Sequence, residues 1–207
     1  ATAGKNLDEI LTEIEKVNNA FKTLKADITF TRTITLLEST EVSKGEMSYK
    51  KPKRLYLKFH PPRNEINVVD GKYVWVYHPA EKQVEKYAME SGKQSSQGLS
   101  FFEFGYGESV HAVKKDYNIT LLETRDEGKK RFYILDLLPN DKKSQYSNIR
   151  LWAQEGFWLP ERIELYESGG EVVNRIELKN IKLNKGLSDK LFVFEVPRGV
   201  EVIEPLK

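Results

Sequence analysis

The chain has 207 residues, with 33 Lys plus Arg against 31 Asp plus Glu and a formal net charge of +2. The two signs are mixed along its length, without the basic stripe of a nucleic-acid binder or the low hydrophobicity of a disordered chain. Cysteine is absent, which excludes a thiol nucleophile, a zinc ribbon, an iron–sulfur site and any disulfide.

No apolar run reaches the roughly 18 residues a membrane span needs. A start at Ala1-Thr2-Ala3-Gly4 without Met is expected of an exported protein trimmed of its signal peptide, or of a cloning remnant. One domain over residues 1–207 is expected, long enough to bury a core without covalent staples.

Leu7, Ile10, Leu11, Ile14, Val17, Phe21 and Leu24 recur at steps of three and four. They predict one amphipathic helix over 7–24. Asn6 with Glu9 makes a capping-box pattern at its start. Near Ala26 the period falls to two. Ile28, Phe30, Ile34 and Leu36 share one strand face, threonines share the other, and Arg32 interrupts the apolar side.

Strand-like segments follow at 45–50, 54–60, 64–69, 72–78, 83–89, 117–124, 131–138, 146–153, 159–167, 171–183 and 191–195. Pro61-Pro62, Asp70-Gly71, Asp126-Glu127-Gly128, Pro139-Asn140-Asp141 and Gly169-Gly170 are among the turn signals between them. Asp70-Gly71 predicts a hairpin with a type I′ turn.

The spacing implies an antiparallel meander, a mainly β (α+β) fold. Residues 91–113 break the pattern. A polar run from Ser91 to Gly98 precedes Leu99, Phe101, Phe102, Phe104 and Tyr106. A short helix or lid folded onto the sheet is expected there.

No catalytic constellation stands out. His60, His78 and His111 have no partner at a metal-motif spacing, so turn or surface positions are expected for them. Ser109 has no nucleophile-elbow glycines around it, and Gly105-Tyr106-Gly107 lacks the third glycine of a dinucleotide loop. Neither a cofactor nor a metal is expected, and the chain does not read as an enzyme.

Lys50-Lys51-Pro52-Lys53-Arg54 is one local basic cluster, a solvated turn or a contact for an anionic partner or lipid headgroup. The apolar side is richer. Leu55, Leu57 and Phe59 share a strand face, and Tyr73, Trp75 and Tyr77 share a face of a later hairpin arm. Lys58 must reach water, which turns the Leu57 face inward.

One helix and a short lid are little cover for about eleven strands. A partly covered apolar concave face is therefore expected to form a lipid cavity, with Phe30, Met47, Leu55, Leu57, Phe59, Trp75 and Tyr77 as candidate wall.

The order of these pieces resembles the LolA-type periplasmic lipoprotein carriers and the wider LolA/LolB-like superfamily. Four places carry the resemblance: the helix running into the Ala26–Thr35 strand; Gly45-Glu46-Met47 followed by Lys51-Pro52 and Leu55; Asp70-Gly71-Lys72 leading to Trp75-Val76-Tyr77; and Phe192-Val193-Phe194 with Pro197-Arg198-Gly199-Val200. Lys51 stands where the family's carriers often have Arg, and it keeps the charge but not the planar fork.

The resemblance implies an incomplete antiparallel barrel closed by the N-terminal helix and a short helical lid that carries Phe101, Phe102 and Phe104. It implies periplasmic, non-enzymatic carriage of acylated lipoproteins or other lipids. Lys51 and Arg54 would gate or contact partners, namely an inner-membrane release complex and an outer-membrane acceptor. A monomer without nucleic-acid partners is expected. The alternative is a lipid- or lipoprotein-sensing scaffold module of the same fold.

Overall fold

Asn6 and Glu9 start the first helix as their spacing implies. Asn6 Oδ1 accepts the Glu9 N–H at 3.0 Å, and Glu9 Oε2 accepts the Asn6 N–H at 2.8 Å. This reciprocal pair satisfies donors that the helix itself leaves open. The computed structural model describes residues 4–89, 106 and 108–204.

Helix α1 spans Leu7–Ala20 and buries Ile10, Leu11 and Ile14. It ends at Ala20 rather than at 24, because the next residues have other partners. The Lys22 N–H donates to Asn184 Oδ1 at 2.7 Å, and the Thr23 hydroxyl donates to the Lys185 carbonyl at 2.7 Å. Strand β1, Thr23–Ile34, starts there, and Leu24 is a strand residue that shares a buried face with Ala26 and Ile28.

The remaining elements are β2 (Ser39–Lys50), β3 (Arg54–Phe59), β4 (Ile66–Val69), β5 (Tyr73–His78), β6 (Gln83–Ala88), α2 (Val110–Asp116), β7 (Tyr117–Glu127), β8 (Lys130–Pro139), β9 (Tyr146–Gln154), β10 (Pro160–Glu167), β11 (Val172–Leu183) and β12 (Glu201–Ile203). The twelve strands form one open sheet in the order β12-β6-β5-β4-β3-β2-β1-β11-β10-β9-β8-β7.

Two expected features are corrected. Leu36 is not on the apolar face but in a 3₁₀ turn, Thr35–Leu37, where it is 74% exposed. The turn is closed by Glu38, in the left-handed region at φ 47°, whose N–H donates to the Thr35 carbonyl at 3.2 Å. Residues 191–195 are not a strand either. Asp189–Phe192 is a 3₁₀ turn capped by Ser188, and pairing resumes only at β12, which lies parallel to β6.

The described chain divides into two compact units. The first draws on Ala1–Ala20, Phe30–Val42 and Phe101–Glu177. Its apolar side is built of cross-strand rungs: Leu135, Leu151, Ile163 and Ile176 in one, and Leu137, Ile149, Leu165 and Asn174 in the next. The opposite side carries a charged rung, Asp136, Arg150, Glu164 and Arg175, with alternating sign.

The Arg150 Nε–H donates to Asp136 at 3.1 Å and the Arg175 Nε–H donates to Glu164 at 2.8 Å. Opposite charges directly across strands favour this register, and the pleat puts these two apolar rungs on the other side, while Phe132, Ile134 and Trp152 form a smaller buried cluster on the charged side. The Tyr166 hydroxyl donates to Glu164 at 2.6 Å, and burial, followed by this carboxylate, pushes its pKa up to about 12.

The second unit draws on Phe21–Thr29, Ser43–Ser100 and Leu178–Lys207. Gly45 faces Phe59 across β2 and β3. A Cβ on Gly45 would lie 2.1 Å from the Lys58 carbonyl oxygen, so only glycine allows this approach.

The hairpin at Asp70-Gly71 forms, but its turn differs from the expected I′. Gly71 has φ of 96° and neither Asp70 nor Lys72 is in the left-handed region. Positive φ at the first central residue alone is the II′ pattern. The Asp70 carboxylate stabilises it by accepting the Lys72 N–H at 2.8 Å and the Tyr73 N–H at 2.7 Å.

Candidate functional site

In the first unit α1 and α2 lie on the apolar rungs. Ser109 caps α2 through the Ala112 N–H, at 3.1 Å. Two bonds link the start of α2 to α1. The Asn18 amide donates to the Glu108 carbonyl at 2.9 Å, and the Val110 N–H donates to Glu15 Oε2 at 2.8 Å.

Between the helices and the sheet is a cavity of about 30 Å³. Its walls include Leu11 and Ile14 from α1, Val110 and Val113 from α2, and Leu135 and Leu137 from β8. Asn18 and Glu108 are its polar members. The volume suits one or two water molecules, far less than an acyl chain. Tyr106, just before α2, is fully buried and donates its hydroxyl to the Pro160 carbonyl; burial pushes its pKa far up.

The expected wall residues are distributed differently. In the second unit Met47 faces Leu57, Tyr49 faces Leu55, and Gly45 faces Phe59. Met47, Leu55, Leu57 and Phe59 are all buried on one apolar face. Through Leu55–Val69–Val74 and Leu57–Asn67–Val76, the same face continues to β5.

Trp75 and Tyr77 are therefore on the opposite face, not beside the Leu57 row. Their odd-numbered alternation is the one expected, but the cross-strand partner of Leu57 on β5 is Val76. What covers Trp75 is the C-terminal segment. Phe194 stacks on its ring at 5.5 Å and 27°, and lies 5.6 Å from the Tyr77 ring. Phe30 belongs to the first unit, half-buried on β1.

The basic step has structural partners. Lys50 Nζ and Arg54 Nη1 reach Asp189 Oδ1 at 2.7 and 2.8 Å, and Lys50 first among them holds the Asp189 carboxyl below its ordinary range. Lys51 Nζ stands 4.0 Å from the centre of the Phe21 ring. Phe101, Phe102 and Phe104 lie outside the described residues.

His60 meets Glu46 at 3.2 Å, and His78 lies 3.5 Å from Glu85. Among the described residues no group of three or more His, Asp or Glu is placed to hold a metal ion.

The cavity under α1 and α2 was only half legible. The α1 stripe predicts Leu11 and Ile14, while the short helix or lid expected over 91–113 lies mostly outside the described residues and α2 overlaps it only from Val110 to Val113. Ile119, Leu135, Leu137 and Leu151 read as plain strand positions, and their shared wall depends on the packing of the helices.

Asp70 yields a pH prediction. Partial burial alone would raise its carboxyl pKa, but hydrogen bonds from the Trp75 indole at 3.0 Å and from the Tyr73 and Lys72 amides outweigh burial and hold it low. A depressed folded-state pKa stabilises the fold above the unfolded value of about 3.9 and loses that effect as pH falls through the folded value. Asp70→Asn is expected to lower the melting temperature at pH 7. The gap to wild type should close on acidification below about pH 3.9. A gap that widens in acid would contradict this sign.

The model of the outer membrane lipoprotein carrier protein LolA family matches residues 19–195. An uncharacterized protein of Methanocaldococcus jannaschii is 24% identical over 203 residues, covering 98% of this chain and 55% of the relative. The chain thus spans about half the length of that relative. The outer-membrane lipoprotein carrier protein of Legionella pneumophila (strain Corby) is 27% identical over 188 residues, covering 90% of this chain and 85% of the relative.

Among solved structures, an uncharacterized conserved protein from Thermus thermophilus superposes with a TM-score of 0.60 at 14% identity, covering 96% of this chain and 98% of the other. That likeness shows a shared fold. With a family match over most of its length and an open sheet covered by α1 and α2, the chain belongs to the LolA family of outer membrane lipoprotein carriers.

Proposed function

We propose that the chain is a non-enzymatic periplasmic carrier that holds the acyl chains of lipoproteins or related lipids and transfers them toward the outer membrane. The observation that carries this reading is the apolar cavity between α1, α2 and the sheet. Its present size calls for dilation when a chain enters. The helices that would move are joined near the cavity by two polar links, Asn18 to Glu108 and Glu15 to Val110.

Burial of each methylene gains roughly 0.8 kcal/mol, so a long chain gains on the order of 10 kcal/mol relative to water. A carrier must supply much of that gain and still let go. A small cavity that expands against weak links suits both demands.

In this reading the Met47, Leu55, Leu57 and Phe59 face of the second unit is a separate apolar surface that opens to lipid. Lys51 and Arg54 contact the membrane complexes that deliver and accept cargo.

Filling the cavity is the test. Val113→Phe adds bulk to its α2 wall. The expected result is at least tenfold weaker binding of a fluorescent fatty acid, with the melting temperature within a few degrees of wild type. Unchanged affinity in the folded variant would remove this cavity as the acyl site.

A further inference from the structure

Arg32 has no place in an apolar row, yet it sits on β1 in line with Ile28 and Phe30. Its Nη1 meets Glu167 Oε1 at 3.4 Å. The same carboxylate oxygen accepts the Asn174 amide N–H at 2.9 Å. Asn174 belongs to the apolar side of the first unit, in one rung with Leu165, Ile149 and the cavity residue Leu137. It is only 7% exposed, and its Oδ1 has no hydrogen-bond partner among the described residues.

A buried acceptor left unpaired is costly, and a folded protein normally supplies a donor. Two other atoms share this condition, Trp152 Nε1 and Gln154 Oε1. By strand alternation both lie on the opposite side of the sheet. Asn174 alone of the three faces the side that α1 and α2 cover. Glu167, anchored by Arg32, takes the amide nitrogen and so turns the oxygen away from itself.

We infer that Asn174 is a specificity residue, and that its Oδ1 accepts a hydrogen bond from the amide N–H of a cargo whose acyl chain is amide-linked. An ester-linked chain has only acceptors at that point and would leave Oδ1 unpaired. The discrimination follows from donor chemistry, as in sites where a missing donor leaves a buried group orphaned. The oxygen is enclosed, so the donor reaches it when the apolar side opens for the chain. This inference rests on the carrier reading and adds a headgroup preference to it.

The test uses two probes that differ by one atom: N-hexadecanoylethanolamine, with an amide N–H, and 2-hydroxyethyl hexadecanoate, with an ester oxygen there. Wild type is expected to bind the amide about fivefold to tenfold more tightly. Asn174→Leu should bind both equally, near the wild-type affinity for the ester. Asn174→Ala serves if the leucine variant misfolds.

Equal binding of the two probes by wild type would overturn the inference and leave the carrier reading intact. A preference that survives in the folded Asn174 variants would place the acceptor elsewhere and also overturn it. Failure of both probes to bind would overturn both readings.

Discussion

Leu57→Glu should be among the most damaging single changes in the second unit. Leu57 is 2% exposed, flanked across the strands by Met47 and Asn67. Removing a buried leucine costs about 2–5 kcal/mol. An unpaired carboxylate on an apolar face adds a penalty of several kcal/mol unless water reaches it. The denaturant midpoint should therefore fall steeply.

Acyl-probe affinity gives the second half of the measurement. If the Leu57 face opens to hold a chain, the charge can hydrate in the empty protein, so the stability loss shrinks while probe binding collapses. Intact probe binding in a folded variant would exclude this face and leave the cavity beneath α1 and α2 as the acyl site.

Phe192→Ala is expected to cost about 3–5 kcal/mol, the usual cost of emptying a buried phenylalanine site. Phe192 is 1% exposed at the end of the 3₁₀ turn that packs on β3. Detachment of this turn should also free Phe194 from Trp75, so the indole should emit further to the red. Asp189→Ala, by contrast, removes only exposed ion pairs to Lys50 and Arg54 and should change the melting temperature little. If the two variants had equal effects, charge rather than apolar burial would hold the segment.

These variants separate what local pattern reveals from what it cannot. Asn6 and Glu9 announce α1 because a capping box acts over three residues. The strands from β3 to β11 follow from alternation and turn residues, which are also local. The end of α1 was not legible at Ala20, since Phe21 and Leu24 continue the helical spacing and the partners that stop it, Asn184 and Lys185, are far along the chain. The segment at 191–195 alternates like a strand, but Phe192 is buried, Phe194 stacks on Trp75 and Val193 is exposed, without the segment joining a ladder.

The alternation of β3 and β5 and the hairpin after Asp70 were contained in the order of residues, though not the type of its turn. Which face of one strand joins which face of another was not. Alternation leaves two choices per strand, and a shift of one residue in register exchanges them. So Trp75 and Leu57, both inward by pattern, stand on opposite sides because Val76 is the residue aligned with Leu57 through β4. The cavity and the Asn174 oxygen, unpaired among the described residues, arise in the same way, from where helices settle and where side chains meet. Both depend on contacts between residues distant in the chain, and those contacts exist only once the whole sheet is assembled.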